Sequence, residues 1–517
     1  VTPITRRRFL WTSAAASLSL PLFAQAQREA AVAGGRFQHG VASGDPLGDR
    51  LMLWTRVTPR DPSPTQSIDV RWRVGTDPAL RRIVSNGSAQ TTAERDYTVK
   101  VDVGGLMPGA TYYYAFDAEG EPSSIGRTRT FPVSGASRMR LALVSCSNYP
   151  AGFFNVYASL VTRPDLDAIV HVGDYIYEFA EGQFGTGAGI DRVPVPAKEA
   201  VTLNDYRLRY STYRRDPDLQ EAHRQFPFIL VWDDHEIANN AWAGGAINHN
   251  PDEGEGDWAT RKAAAYKAYL EWMPIRESND PGIHLYRTFH FGGLVDLVML
   301  DTRALRDRQV RANDAAGIAD PTRSLMGAAQ ESWMFGELRA SQRAGTPWTL
   351  LGQQVMFARA SLPGMAVTDA DAWDGYSAQR DRVFDFIEQE RIRNLVVLTG
   401  DVHSSWGFDL PRDPWKGYTP STGAGSLAVE LVTPAISSPP PAMFDGNAED
   451  MAAAIRVAMP HLKYVDGVHR GCVVIDVTAS ALNAEWIFSP NVRVRSSAET
   501  TGHLLVCERG SAHLQTA

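Results

Sequence analysis

Four short clusters of oxygen, sulfur and nitrogen donors stand out from an otherwise ordinary sequence. They are Ser145-Cys146-Ser147-Asn148, Gly173-Asp174-Tyr175-Ile176-Tyr177-Glu178, Trp232-Asp233-Asp234-His235-Glu236 and Thr399-Gly400-Asp401-Val402-His403. Carboxylate, imidazole, phenol and thiol are together a vocabulary for holding metal ions. Each cluster alone has a bland reading. A Gly-Asp pair is often a turn or a helix cap, Asp234-His235 could be a cap beside a solvated imidazole, and Tyr177 suits a core. A lone cysteine such as Cys146 is more often a small buried apolar residue than a ligand. Four such clusters, each directly after an apolar run, point instead to one shared site.

Those runs say how the site is positioned. Leu141-Ala-Leu-Val144, Ala168-Ile-Val-His-Val172, Phe228-Ile-Leu-Val231 and Leu395-Val-Val-Leu398 read as buried strands, as do Leu294–Leu300 and Trp348–Leu351. Helical patterns lie between or beyond them at Trp258–Trp272, Ala328–Ser341 and Ala378–Arg391. Buried strands interleaved with helices predict an α/β core. Ligands of such sheets gather beyond the carboxyl ends of the strands, so the four clusters can converge on one crevice. From Arg36 to Val133 the pattern differs. Short alternating runs such as Ile68-Asp-Val-Arg-Trp-Arg-Val74 and Tyr97-Thr-Val-Lys-Val-Asp-Val103, punctuated by Pro, Gly and Asp turns, predict a small antiparallel β-sandwich. Pro132–Ser137 reads as a linker, and the Gly- and Pro-rich stretch 182–201 as a loop over the site.

The order Gly-Asp-x-x-Tyr, then Asp-His-Glu, then Gly-x-x-His resembles the calcineurin-like metallophosphoesterase pattern. The Asp-x-His or Asp-x-Gly that usually opens it is replaced here by Ser145-Cys146-Ser147. With that cysteine, and with Phe37-Gln-His-Gly-Val-Ala-Ser-Gly-Asp-Pro46, Leu300-Asp-Thr-Arg303 and Trp373-Asp-Gly-Tyr376, the chain closely resembles the PhoD-type alkaline phosphatase/phosphodiesterases over nearly its whole length. The resemblance implies a fibronectin type III-like β-sandwich over 36–134, then a four-layer α/β/β/α metallophosphoesterase domain over 138–517 that includes the C-terminal tail. It also implies a site containing Fe(III) with Ca(II), acting on phosphoric monoesters and diesters. Ligand chemistry agrees, since phenolate is a good partner for hard Fe(III) and carboxylate oxygens suit calcium. On this reading Cys146, Asp174, Tyr177 and His403 hold iron. Asp174 bridges to the second cation, which Asp234, Asp401 and Asn240 complete. His235 is expected to assist the leaving oxygen. Arg303 is expected to clamp phosphate, an ordinary salt bridge being the competing account. Two other readings are a purple-acid-phosphatase-like hydrolase, disfavoured by the missing opening Asp and the imidazole-poor second site, and an envelope-binding protein with a structural metal.

The N-terminus reads as an address. Thr5-Arg6-Arg7-Arg8-Phe9-Leu10, an apolar stretch to Phe23 and Ala24-Gln25-Ala26 make the three parts of an export signal of twin-arginine type, with cleavage expected after Ala26. The apolar stretch is too short to span a bilayer. Expected partners are therefore a phosphate-ester substrate and the Tat export machinery, with a periplasmic or secreted monomer as the mature form. A formal charge of −8 with no long basic run disfavours a stable nucleic-acid partner. Three cysteines make no disulfide framework; Cys472 and Cys507 either pair with each other in an oxidising compartment or are separate core residues, the reading preferred here.

Overall fold

The computed structural model describes residues 35–60, 67–185, 189–277 and 285–517; the expected signal segment lies outside them. Among the described residues three sheets form, of ten, seven and five strands. The ten-stranded sheet runs from Leu514–Thr516 through Thr500–Glu508, Ala481–Ser489, Arg470–Thr478, Arg138–Val144, Ala168–His171, Pro227–Leu230, Val41–Gly44 and Leu51–Arg56 to Thr98–Val103. Its middle is parallel. Strand Ala168–His171 pairs in the same direction with Arg138–Val144 on one side and Pro227–Leu230 on the other, with His171 opposite both Val144 and Leu230. Parallel strands buried on both faces favour unbroken aliphatic runs, which is what these segments carry.

The seven-stranded sheet is built the same way. Leu395–Thr399 lies between Trp348–Gly352 and Ser426–Val432, parallel to both, and Val295–Met299 lies beyond Trp348–Gly352. Alternation along each strand sends side chains to opposite faces. Thus Val295, Leu297 and Met299 join Leu141, Leu143 and Val170 in a core between the two large sheets. Val298, Leu351 and Val397 face away, onto Met334 and Leu338 of helix Ala328–Ala344 and Phe384 and Ile387 of helix Ser377–Glu390. Helix Trp258–Trp272 begins where the sequence pattern places it because Asp257 accepts the Thr260 N–H at 3.0 Å, satisfying a donor that the first turn leaves open.

The N-terminal region differs from a self-contained sandwich joined by a linker. Its antiparallel strands do form two facing sheets, with Val41, Leu53, Val70, Val99, Tyr114 and Phe116 packed between them. One of those sheets, however, is the flank of the ten-stranded sheet, because Val41–Gly44 pairs in parallel with Pro227–Leu230. The pairing occupies the polar edge that strand Pro227–Leu230 would otherwise present. Gly44 makes the junction fit, since a Cβ there would lie 2.3 Å from the Pro274 carbonyl oxygen. A tyrosine closes one corner of this region: Tyr112 OH accepts the Met107 N–H at 2.7 Å. The C-terminal tail closes the other end of the sheet, as Thr500–Glu508 pairs with Ala481–Ser489. Cys472 and Cys507 are buried and unbonded, as expected, and strand Ala481–Ser489 lies between theirs.

Burial also sets a pH dependence. His461 packs against Phe408, ring centroids 5.2 Å apart, and burial lowers its pKa to about 3; His171, inside the sheet, is lowered to about 3 for the same reason. Both are neutral when folded, whereas an unfolded chain protonates histidine below about pH 6.5. The stability this neutrality confers is complete above pH 6.5 and declines as pH falls toward 3. By pH 5 each histidine costs about 2 kcal/mol. We expect the fall in thermal midpoint between pH 7 and pH 5 to be smaller in His461→Gln than in the native chain; equal falls would remove His461 from the account.

Candidate metal centre

The topology delivers all four clusters to one place. Cys146 follows strand Arg138–Val144, Asp174 follows Ala168–His171, and Asp233 and Asp234 follow Pro227–Leu230, all at the same end of the ten-stranded sheet. Asp401 and His403 leave the central strand of the facing sheet. The residues bend sharply to converge. Cys146, Asp174, Asn240, Asp401 and His403 all have positive φ, from +53° to +63°. This region costs a non-glycine residue about 1–3 kcal/mol and is held only where surrounding structure imposes it. Gly173, at φ +110°, lets the second and third clusters pass each other, since a Cβ would lie 2.4 Å from that of Asp233.

The ligand atoms form a row of three overlapping triplets: Cys146, Asp174 and His403; Asp174, Asp234 and His235; and Asp233, Asp234 and Asp401. Within each, the donor atoms lie within 4.8 Å of one another. Tyr177 joins the first triplet, its hydroxyl 3.1 Å from Asp174 Oδ2 and 3.0 Å from His403 Nε2. Cys146 Sγ lies 3.4 Å from the same Asp174 oxygen. Asp174 Oδ1 is buried with no hydrogen-bond partner among the described residues. An orphaned, buried carboxylate oxygen is costly unless something positive meets it. That atom belongs to the residue shared by two triplets and is free to meet a cation.

Electrostatics tell the same story. Burial pushes the Asp174 carboxyl well above the usual range, and although His235 opposes this, Asp233, Asp234 and Glu236 add to it. Burial and then Asp233 push Asp401 up likewise, against the pull of Arg303. Burial and then Asp174 hold the Cys146 thiol and the Tyr177 phenol high. So many acids cannot all ionise in a dry cluster without a counter-charge, and a bound cation removes the obstacle. Asp234 is the exception. Burial works against its charge, but Arg303, His235 and the Asn240 N–H at 2.6 Å outweigh it and keep it ionised.

The supporting groups were not evident in the sequence. His403 Nδ1 donates to the Pro439 carbonyl at 3.0 Å, which fixes the tautomer and leaves Nε2 unprotonated toward the first triplet. Ser438 Oγ donates to Tyr177 OH at 2.7 Å. His235 Nδ1 is held by Glu178 at 2.7 Å, and the ring lies 4.3 Å from that of Tyr177. Glu236 ties two clusters together, accepting N–H groups from Asp174, Tyr175 and Asp233 at 2.5–3.0 Å. Burial raises its pKa to about 8 in spite of those bonds. Phe184, in the Gly-rich loop, stacks over Tyr177 and His235.

Two of the expected residues make contacts of another kind. Arg303 is fully buried, and its guanidinium is spent on carboxylates: Asp233, Asp371 at 2.5 Å, Asp401 at 3.3 Å and Asp234 at 3.7 Å. It balances the acidic cluster from within instead of facing a phosphate. Asn240 reaches the site through its backbone N–H, which donates to Asp234 Oδ2 at 2.6 Å. Asp233, which was not among the expected ligands, sits in the third triplet.

Comparison with known proteins places this geometry. Residues 141–486 match the model of the PhoD-like phosphatase family, and residues 24–132 match that of the PhoD-like phosphatase N-terminal domain. Alkaline phosphatase D of Bacillus subtilis (strain 168) is 37% identical over 500 residues, spanning 93% of this chain and 82% of that protein. A solved structure described as that of PhoD superposes with a TM-score of 0.84 at 35% identity, covering 94% of this chain and 92% of that one.

Proposed function

The chain belongs to the PhoD-like phosphatase family and is a phosphoric ester hydrolase; on that premise we propose that it works with Fe(III) and Ca(II) in the row of triplets. The observation that carries this is the sharing of Asp174 and Asp234 between adjacent triplets, which suits neighbouring cations joined by common carboxylates. Cys146, Tyr177 and His403, with Asp174, offer the thiolate, phenolate and imidazole that favour iron. Asp234, Asp401 and Asp174 offer the carboxylate oxygens that favour calcium, and Asp233 stands beside them. We assign Asn240 a supporting place at this second site through its bond to Asp234.

Two such cations, when bound, supply the charge that makes water nucleophilic at neutral pH and draws electrons from the non-bridging phosphate oxygens. The residues of the chain do the rest. Glu178 fixes His235 through Nδ1, so that Nε2 is the nitrogen free to donate a proton toward the departing alkoxide. Arg303 keeps Asp233, Asp234 and Asp401 from splaying apart. Phe179 and Phe184 pack around the His235 ring and limit water there. The chemistry accommodates monoesters and diesters alike.

We read the two large sheets with their covering helices as the α/β/β/α stack of a catalytic domain over 138–517, and 36–134 as a β-sandwich domain that shares a sheet with it. The N-terminal segment expected to be an export signal supports a periplasmic or secreted enzyme; among the described residues no helix is long and apolar enough to cross a membrane. Metal analysis of the purified protein, alongside hydrolysis of a chromogenic monoester and diester across pH, tests the assignment. We expect iron and calcium to co-purify with activity, and calcium chelation to lower the rate while iron stays bound. Active protein free of iron would overturn the metal assignment.

A further inference from the structure

We propose that the groove lined by Gly185, Pro439, His469, Arg470, Asn491 and Arg493 is an anion subsite that receives a second phosphate group of the substrate, beside the one being cleaved. The inference rests on the hydrolase reading and narrows its substrate class to esters that carry more than one phosphate along a chain.

The groove encloses about 440 Å³ and shares a wall with the metal centre. Pro439 lines it while its carbonyl holds His403 Nδ1 at 3.0 Å. The preceding Ser438 holds the Tyr177 hydroxyl through its side chain, and its own carbonyl accepts Arg470 Nε at 3.1 Å. Arg470 Nη1 donates to the Val468 carbonyl at 3.0 Å. Both of these partners are neutral. Gly185 follows Phe184, whose ring stacks over Tyr177 and His235, so the groove opens directly beside the reacting centre. A substrate that extends past the reacting ester on this side meets the groove.

Its charge is positive and uncompensated. Among the described residues, neither Arg470 nor Arg493 forms an ion pair with a carboxylate, although the chain as a whole is acidic. Arg495, two residues further on, shows the usual alternative, paired with Asp216 at 3.0 Å and Asp218 at 2.5 Å. Burial, and then the neighbouring Arg493, lower the pKa of Arg470, as expected of two guanidinium groups that lack a shared anion. His469 adds no net charge, because Asp466 accepts its Nδ1 at 2.8 Å. Two unpaired guanidinium groups side by side contribute repulsion to the fold. They are complementary to a phosphate, which guanidinium binds through charge-assisted and often paired hydrogen bonds.

The test uses the full-length, metal-loaded protein and two substrates: thymidine 5′-(p-nitrophenyl phosphate), and the same ester with an added 3′-phosphate. Release of p-nitrophenol reports the same bond in both. We expect the second phosphate to lower KM by about tenfold at low ionic strength. That advantage should shrink toward nothing in Arg493→Ala, whose exposed side chain carries no packing, and only in part in Arg470→Lys. The rate on the singly charged ester should be unchanged in Arg493→Ala. Equal KM values for the two esters in the native protein, or an advantage that survives in Arg493→Ala, would overturn the subsite while leaving the hydrolase standing. Hydrolysis of neither ester would overturn the hydrolase reading and the subsite with it.

Discussion

Asp174→Asn should lose on the order of 10³-fold or more in kcat/KM on any phosphoric ester, a deficit of at least about 4 kcal/mol in transition-state stabilisation. The reason is position. Asp174 is the residue common to the thiol-containing and imidazole-containing triplets; one of its oxygens meets Tyr177 and Cys146, and the other is buried with no partner among the described residues. An amide keeps the shape but gives up the charge and one of the two oxygens, so it cannot bridge two cations. The same change should not unfold the protein. Without metal, the Asp174 carboxyl is crowded by Asp233, Asp234 and Glu236, and a neutral amide relieves that crowding. We therefore expect the metal-stripped variant to melt no lower than metal-stripped native protein, while metal analysis finds fewer ions per chain. A variant that keeps full metal content and rate would remove Asp174 from the centre of the site.

His235→Ala should lower kcat by roughly 10²- to 10⁴-fold, the range for deleting a positioned proton donor. Little change in KM and unchanged metal content should accompany it. This outcome separates two roles that the geometry brings close together, since His235 also sits in a triplet with Asp174 and Asp234. Loss of a metal ion from the variant would make His235 a ligand instead. Glu178→Gln should lower kcat less steeply, because the amide still accepts from Nδ1 while no longer offering a charge to the ring. A leaving group that needs no protonation, such as p-nitrophenolate, should mask much of the His235 defect, whereas an alkyl leaving group should show it in full. Equal defects on the two would argue against proton donation.

Part of this was legible in the sequence because the responsible forces are short-range. Aliphatic runs such as Leu395-Val-Val-Leu398 declare buried strands by composition alone, and helix Trp258–Trp272 announces its start through Asp257. The chemistry of Cys146, Asp174, Tyr177, Asp234, Asp401 and His403 is carried by their side-chain types. Their places after strands predict that they leave the sheets at a common end.

Other features depend on contacts across long stretches of chain, and nothing local encodes those. Val41–Gly44 carries no local sign of a partner, yet its pairing with Pro227–Leu230 fuses the N-terminal region to the main sheet. Arg303 follows a strand in a position suited to phosphate, but four carboxylates from three separate segments consume its charge. Pro439 acts through a carbonyl oxygen that every residue possesses, so no side chain marks it as the group that orients His403. The sequence by itself determined which atoms are available to bind metal and at which ends of which strands they emerge, because propensity and side-chain chemistry are local. The tertiary structure alone decided which of them meet, which arginines stay unpaired beside the site and which are absorbed into it, because pairing between distant strands and the balance of buried charge belong to the assembled fold.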